Sequence, residues 1–324
     1  MLNFYEDSEK ILNFTNFVLK MVIVETKHIK NAAIAAGFDL CGVARCQKFP
    51  LNRLAFNRWL ERGYDSSLGY MRNYQDMRFD VKQMVEEARS VVVCAVSYKS
   101  DVSGGYGKED RCKVASYACN RDYHKSLKKM LQSLLKELQK NYPELKGRAC
   151  VDSAPILEKQ YAVEAGLGWI GRQSLLLTPE FGSYVLLGEL VLDCEVDAYD
   201  EPMQSVGCGE CRRCMDACPV GAIVESMTID TARCISCQTI EKVGDSATPL
   251  NGWIFGCDEC QNCCPYNKKA KSHSNSAFDP LFDPREISAE EWFAMSEEEF
   301  SARFGSTPLK RSGLERIKQN VKRG

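Results

Sequence analysis

The chain is predicted to be a mixed α/β protein of the α+β kind, with a cysteine-rich module behind its main domain. Three observations predict it. Residues 91–96 form an unbroken apolar, largely β-branched run, residues 122–141 carry a helical apolar period, and ten of the seventeen cysteines fall within positions 208–264.

Taken in order, residues 27–36 read as a helix stopped by Gly37, and 40–44 as a short strand. The 91–96 run is long enough for a buried strand and too short for a helix. Over 122–141, Leu127, Met130, Leu131, Leu134, Leu135 and Leu138 recur at three- and four-residue steps with lysines opposite, which makes one helix face a core face. A further helix is expected over 156–165 and a strand over 184–192. From about Asp200 the texture changes to short loops between cysteines. After Pro265 a polar loop is expected through Asp283, followed by helices over 289–304 and 312–321. The expected organisation is an N-terminal extension (1–22), an α/β domain (23–200), a cysteine-rich domain (201–284) and a short helical C-terminal segment (285–324).

Composition excludes several classes. At 324 residues and 44% hydrophobic, the chain can bury a sizeable core. A disulfide scaffold is the wrong frame for so long a chain without a signal peptide. The apolar stretch 11–24 is interrupted by Asn13, Thr15, Asn16 and Lys20, so no membrane span is expected, and a reducing cytoplasm is the consistent compartment. Net charge is −2, yet acidic residues crowd 286–299 while Lys310, Arg311, Arg316, Lys318, Lys322 and Arg323 crowd the end. The final segment is locally basic.

The cysteine spacing carries the chemistry. Cys208, Cys211, Cys214 and Cys218 followed by Pro219 spell C-x2-C-x2-C-x3-C-P, the run of two-cluster ferredoxins, in which the fourth thiolate serves the other cluster. Cys257, Cys260 and Cys264 before Pro265, with Cys234 between the runs, supply the partner. Two 4Fe-4S clusters need eight thiolates. The crossed pattern assigns Cys208, Cys211, Cys214 and Cys264 to one and Cys218, Cys234, Cys257 and Cys260 to the other, leaving Cys237 and Cys263. Cys264 is preferred to Cys263 because Pro265 follows it and the x3 step from Cys214 to Cys218 recurs. Zinc is the alternative, though its sites seldom pair three thiolates at x2 spacing with a fourth before proline. Gly166, Gly168 and Gly171 spell the dinucleotide fingerprint, but they follow an expected helix where that fingerprint must follow a strand.

Arg121-Asp122-Tyr123-His124, Val151-Asp152-Ser153-Ala154-Pro155, Gly166-Leu167-Gly168-Trp169-Ile170-Gly171, Leu177-Thr178-Pro179-Glu180 and Arg233-Cys234-Ile235-Ser236, together with the cysteine runs, resemble the epoxyqueuosine reductases from about Val24 to the end. The resemblance implies a cobalamin-dependent iron-sulfur enzyme related to reductive dehalogenases, performing the last step of queuosine synthesis on tRNA. Cobalamin, bound by the N-terminal domain, comes from the resemblance alone, and an external low-potential donor of flavodoxin or ferredoxin type is the expected electron source. The chain departs from the family at Cys237, where many members have tyrosine, at Cys263, and in lacking an appended helical-repeat domain. Residues before Met21 lie outside the resemblance, and Met21 would serve as a start.

Reducing an epoxide to an alkene takes two electrons and two protons and releases water. Asp152 matches the family's catalytic aspartate, and burial beneath a corrin is expected to raise its pKa and make it the proton donor. A helix N-cap is the competing role for Asp152, and also for Asp122, the second catalytic candidate. His124 reads as a packed or solvent-facing residue. Tyr123, Gly168, Trp169, Arg78, Ser174, Ser183 and Glu241 are candidate cofactor contacts from their places in family-like segments. Lys310, Arg311, Arg316 and Lys318 are candidate tRNA contacts, with a solvated helix end as the alternative. Two other functions fit less well: a corrinoid reductive dehalogenase, which would be expected to carry a twin-arginine signal, and a ferredoxin-type carrier, which has no use for the first 200 residues.

Overall fold

The computed structural model describes residues 23–66, 68–107, 109–241 and 247–324. The expected extension 1–22 lies outside the described residues. Four strands build the central sheet: β1 (Leu40–Arg45), β2 (Ser90–Ser97), β3 (Gly147–Cys150) and β4 (Val185–Leu192). Their order is β1-β2-β4-β3, and every neighbouring pair is antiparallel.

The apolar run at 91–96 is continuous because β2 is covered on both faces, and alternate side chains serve different layers. Val92, Cys94 and Val96 pack with Ile29 and Ala33 of α1 (Thr26–Ala35) and with Leu127, Leu131, Leu134 and Leu138 of α2 (Tyr123–Asn141). Val91, Val93 and Ala95 turn the other way, toward Phe49, Phe79 and the Tyr161 and Ala162 of α3 (Glu158–Glu164). A helix over Pro50–Glu61 has no counterpart in the sequence-based expectation. None of its residues is fully buried, so it carries no strong apolar period to read.

The cysteine-rich segment is tied to the sheet domain through a parallel pair between Trp253–Phe255 and Lys113–Val114. Around it gathers a second core, in which Val114, Ile254 and Phe255 pack with Trp292, Phe300, Phe304, Leu309, Leu314 and Ile317. The C-terminal segment is therefore part of a core. The helix expected over 289–304 is two helices, Ala289–Ala294 and Glu297–Phe304, because Ser296 caps the second by accepting the Glu299 N–H. A last helix, α4 (Gly313–Arg323), closes the chain. In the stretch expected to be loop, Pro265 starts one short helix, Pro265–Lys269.

Candidate active site and cluster cavity

Asp122 is the N-cap of α2, and its carboxylate accepts the His124 backbone N–H at 3.1 Å while facing the His124 Nδ1 at 2.7 Å. The other ring nitrogen, Nε2, lies 2.9 Å from Asp152 Oδ2. One imidazole is thus held between two carboxylates, one at the start of α2 and one just beyond β3, and the Tyr123 ring stacks on it at 4.3 Å. The bond to Asp152, with that to Asp122 adding to it, raises the His124 pKa to about 9. The same bond holds the Asp152 carboxyl below its ordinary range. The shift runs opposite to the rise that burial alone would cause, because hydrogen bonding to His124 outweighs desolvation there. The capping role also falls away for Asp152, since α3 begins at Glu158 with Leu157 as its N-cap. Asp122 caps and orients at once. The signal for His124 was present as the Asp122-x-His124 spacing at a helix start.

Asp152 and Glu158 stand at one wall of a cleft of about 510 Å³, with Phe56, Trp59, Ile170 and Ile229 as apolar lining. Two candidate contacts, Arg78 and Ser174, line the same cleft, and Arg78 Nε and Ser174 Oγ are buried with no hydrogen-bond partner among the described residues. Ser174 is also held at φ 64, as Asp152 is at φ 48. Unpartnered donors at an apolar cleft fit a ligand that is flat and apolar in its ring and amide-rich at its rim, as a corrin is.

Other candidates lie elsewhere. A Cβ on Gly168 would meet the Leu177 carbonyl oxygen at 2.0 Å, so the glycine is required by the close pairing of Trp169–Ile170 with Leu176–Leu177. Trp169 packs with Cys208 and Cys264 and meets the Tyr266 ring at 4.8 Å, which puts it beside the cluster thiols. Ser183 Oγ donates to Gln261 Oε1 at 2.9 Å and accepts from Asn267 Nδ2 at 2.8 Å, binding the sheet domain to the cysteine-rich segment. Glu241 pairs with Arg311 at 2.8 Å.

The thiols divide into two neighbourhoods. Cys208, Cys211, Cys214 and Cys264 line one cavity with Gln173, Arg213, Pro265 and Tyr266. Cys257 and Cys234 lie near Cys260, and Cys218 lies near Cys234. Burial raises the pKa of Cys214, Cys264, Cys234, Cys257 and Cys260, so these thiols ionise only with cationic metal beside them. Among the described residues no three Cys, His, Asp or Glu side chains converge on a single-ion position. Four thiols around one cavity and four in a second neighbourhood match the eight ligands that two cubanes need. The residues fit clusters. Cys263 lies near Cys214 and Cys264, and its Sγ faces the Cys260 carbonyl at 3.5 Å.

The basic segment is less free than its composition implies. Arg316 donates to the Gln238 carbonyl at 2.6 Å and Lys318 to the Met295 carbonyl at 2.9 Å, both at helix ends. Arg311 is held by Glu241, with the Asp152 carboxylate and the Tyr70 phenol also near it. Lys310 is exposed.

Fold and site together define an iron-sulfur oxidoreductase. A family described as "Epoxyqueuosine reductase QueG, DUF1730" matches residues 78–153, and one described as "4Fe-4S double cluster binding domain" matches residues 207–267. An epoxyqueuosine reductase of Cyclobacterium marinum is 38% identical over 300 residues, 91% of this chain and 95% of the relative. The crystal structure of an epoxyqueuosine reductase with an epoxyqueuosine-modified tRNA-Tyr stem loop superposes with a TM-score of 0.81 at 27% identity, covering 91% of this chain and 79% of the other. A catabolic reductive dehalogenase, NpRdhA, shares the fold alone, at 15% identity and a TM-score of 0.50 over 90% of this chain and 36% of its own. The chain belongs to the epoxyqueuosine reductase family.

Proposed function

We propose that the chain reduces epoxyqueuosine to queuosine at the wobble position of a tRNA anticodon, using two 4Fe-4S clusters and cobalamin. The carrying observation is the Asp122–His124–Asp152 array, whose Asp152 lines a cleft where Arg78 Nε and Ser174 Oγ have no hydrogen-bond partner among the described residues. Cobalamin, when bound, supplies a cobalt centre that collects electrons singly from the clusters.

The chain's own residues do the rest. Arg78 Nε and Ser174 Oγ would hold amide arms at the rim of the cofactor, and the apolar cleft wall would exclude water from its ring. The thiolates of Cys208, Cys211, Cys214 and Cys264 would hold one cluster, and those of Cys218, Cys234, Cys257 and Cys260 the other. His124 stores a proton to about pH 9 and faces Asp152, which opens on the cleft. Epoxide plus two electrons and two protons becomes alkene plus water. Both protons end on the departing oxygen, and the His124–Asp152 pair is placed to deliver one of them. Lys310 and Arg311 would meet the tRNA backbone at the mouth. The electron donor would be a flavodoxin or ferredoxin and the setting cytoplasmic; among the described residues no helix is long and apolar enough to cross a membrane.

The test is turnover. The purified chain, loaded with iron-sulfur clusters and cobalamin and reduced chemically, is given tRNA containing epoxyqueuosine, and digested nucleosides are analysed for loss of one oxygen. Fully loaded protein that leaves epoxyqueuosine unchanged would overturn the reading.

A further inference from the structure

Glu158 has no part in the chemistry described so far, yet it touches the centre of it. It is the first residue of α3, but its side chain does not cap that helix; it turns back six residues, and Oε1 accepts the Asp152 backbone N–H at 2.7 Å. Asp152 stands at φ 48, a conformation that a non-glycine residue keeps only when its surroundings enforce it. The backbone hydrogen bonds of the turn itself are local: Ser153 N to the Val151 carbonyl and Ile156 N to the Ala154 carbonyl each span two residues. His124 and Tyr123 hold Asp152 from α2, and the Glu158 bond ties it to the helix that follows.

We infer that Glu158 is a positioning residue, whose carboxylate holds the Asp152 turn closed so that Asp152 stays against His124 and open to the cleft. This rests on the proposed reaction for its purpose, though its geometry stands without it.

The groups facing Glu158 make the hold sensitive to pH. Asp152 and Cys150 lie on the chain entering the turn, and His124 and Tyr123 on α2. Arg78 is on the short helix Gln75–Phe79, Lys159 is next in sequence, and Glu189 is on β4. Glu189 is fully buried, both its carboxyl oxygens lack hydrogen-bond partners among the described residues, and burial keeps it protonated. Burial, with the Asp152 charge adding to it, raises Glu158 to about 7. An ionised carboxylate accepts an N–H more strongly than a carboxyl does, so the turn is held best above that point. His124 keeps its proton up to about 9. Turnover is therefore expected to rise through the lower value and fall through the higher.

Two measurements test the inference. The chain has three histidines, so in full-length protein carrying its clusters but no corrinoid the His124 ring can be followed by NMR and assigned with His124→Gln. Wild type should titrate well above about 6.5, the ordinary histidine value. Glu158→Ala should bring His124 back toward that value, as Asp152 leaves, while Glu158→Gln, whose amide oxygen accepts the same N–H, should hold it near wild type. An unchanged His124 titration in folded, iron-replete Glu158→Ala overturns the inference. In the loaded enzyme, Glu158→Ala should lower kcat by about a hundredfold with little change in KM for tRNA, as misplacement of a reacting group does. Glu158→Gln should rescue most of that loss and abolish the rising limb near neutral pH. Should Glu158→Ala fail to fold, a rising limb that survives in Glu158→Gln is the result that overturns the inference. Failure of the wild type to reduce tRNA would refute the function and leave the NMR result intact.

Discussion

At the scale of single residues, the decisive arrangement is an imidazolium between two carboxylates. Asp152→Asn should keep iron and corrinoid yet lower turnover by about a hundredfold to ten-thousandfold, the usual contribution of an acid-base group. His124→Gln should do the same, because it removes the proton that Asp152 handles. A stability effect accompanies the chemistry. The folded-state pKa of His124 is raised, so the pair stabilises the fold fully below about 6.5, the unfolded value, and that contribution disappears as pH rises through about 9. Urea denaturation of wild type against His124→Gln should accordingly show a midpoint difference at about pH 6 that vanishes by about pH 10. A difference independent of pH would mean that His124 acts by packing, through its stack on Tyr123.

At the scale of elements, two kinds of cohesion divide the chain. The sheet domain depends on interdigitated side chains: truncating Leu131, fully buried on α2, to alanine should cost about 2–5 kcal/mol in chemical denaturation. The cysteine-rich segment depends on metal, because its buried thiols have raised pKa values until a cluster supplies positive charge. Cys264→Ser and Cys218→Ser should each lose iron, whereas Cys263→Ser should retain it. Iron and labile sulfide analysis decides among them, and retention by Cys264→Ser with loss by Cys263→Ser would reverse the assignment of the fourth ligand. Cys218 Sγ also accepts the Ala222 N–H at 3.2 Å, the kind of N–H···S bond that tunes a cluster's potential.

For the whole molecule, the question is how tRNA reaches a cleft between the sheet domain and residues 227–231 of the cysteine-rich segment. Lys310 is exposed and Arg311 is paired with Glu241, while Arg316 and Lys318 are bonded to helix-end carbonyls. Lys310→Ala should therefore weaken tRNA binding and flatten its dependence on salt, by about 0.7–0.9 in log-log slope for each phosphate left without its cation. Arg316→Ala should lower thermal stability instead, since it leaves the Gln238 and Glu241 carbonyls without their donor. Filter binding at several salt concentrations and calorimetry separate the two. Equal salt slopes for wild type and Lys310→Ala would remove Lys310 from the interface.

The amino-acid order determined what depends on near neighbours. The leucine period of 122–141, the β-branched run at 91–96 and the C-x2-C-x2-C-x3-C-P spacing each encode a local geometry, so helix, buried strand and cluster motif were legible without coordinates. What depends on distant partners was not legible there. Asp152 read as a desolvated acid because nothing near it in the chain shows a histidine 28 positions away, and hydrogen bonding to that histidine reverses the sign of its pKa shift. The C-terminal segment read as helical and basic, and its charge is visible in sequence whereas the burial of Leu309, Leu314 and Ile317 in one core with Phe255 is not. Glu158 lies within the helix expected over 156–165, and only the fold turns its carboxylate back onto the Asp152 backbone. Short-range spacing decides which elements and ligands exist; tertiary packing decides which charge meets which, and hence where the proton sits.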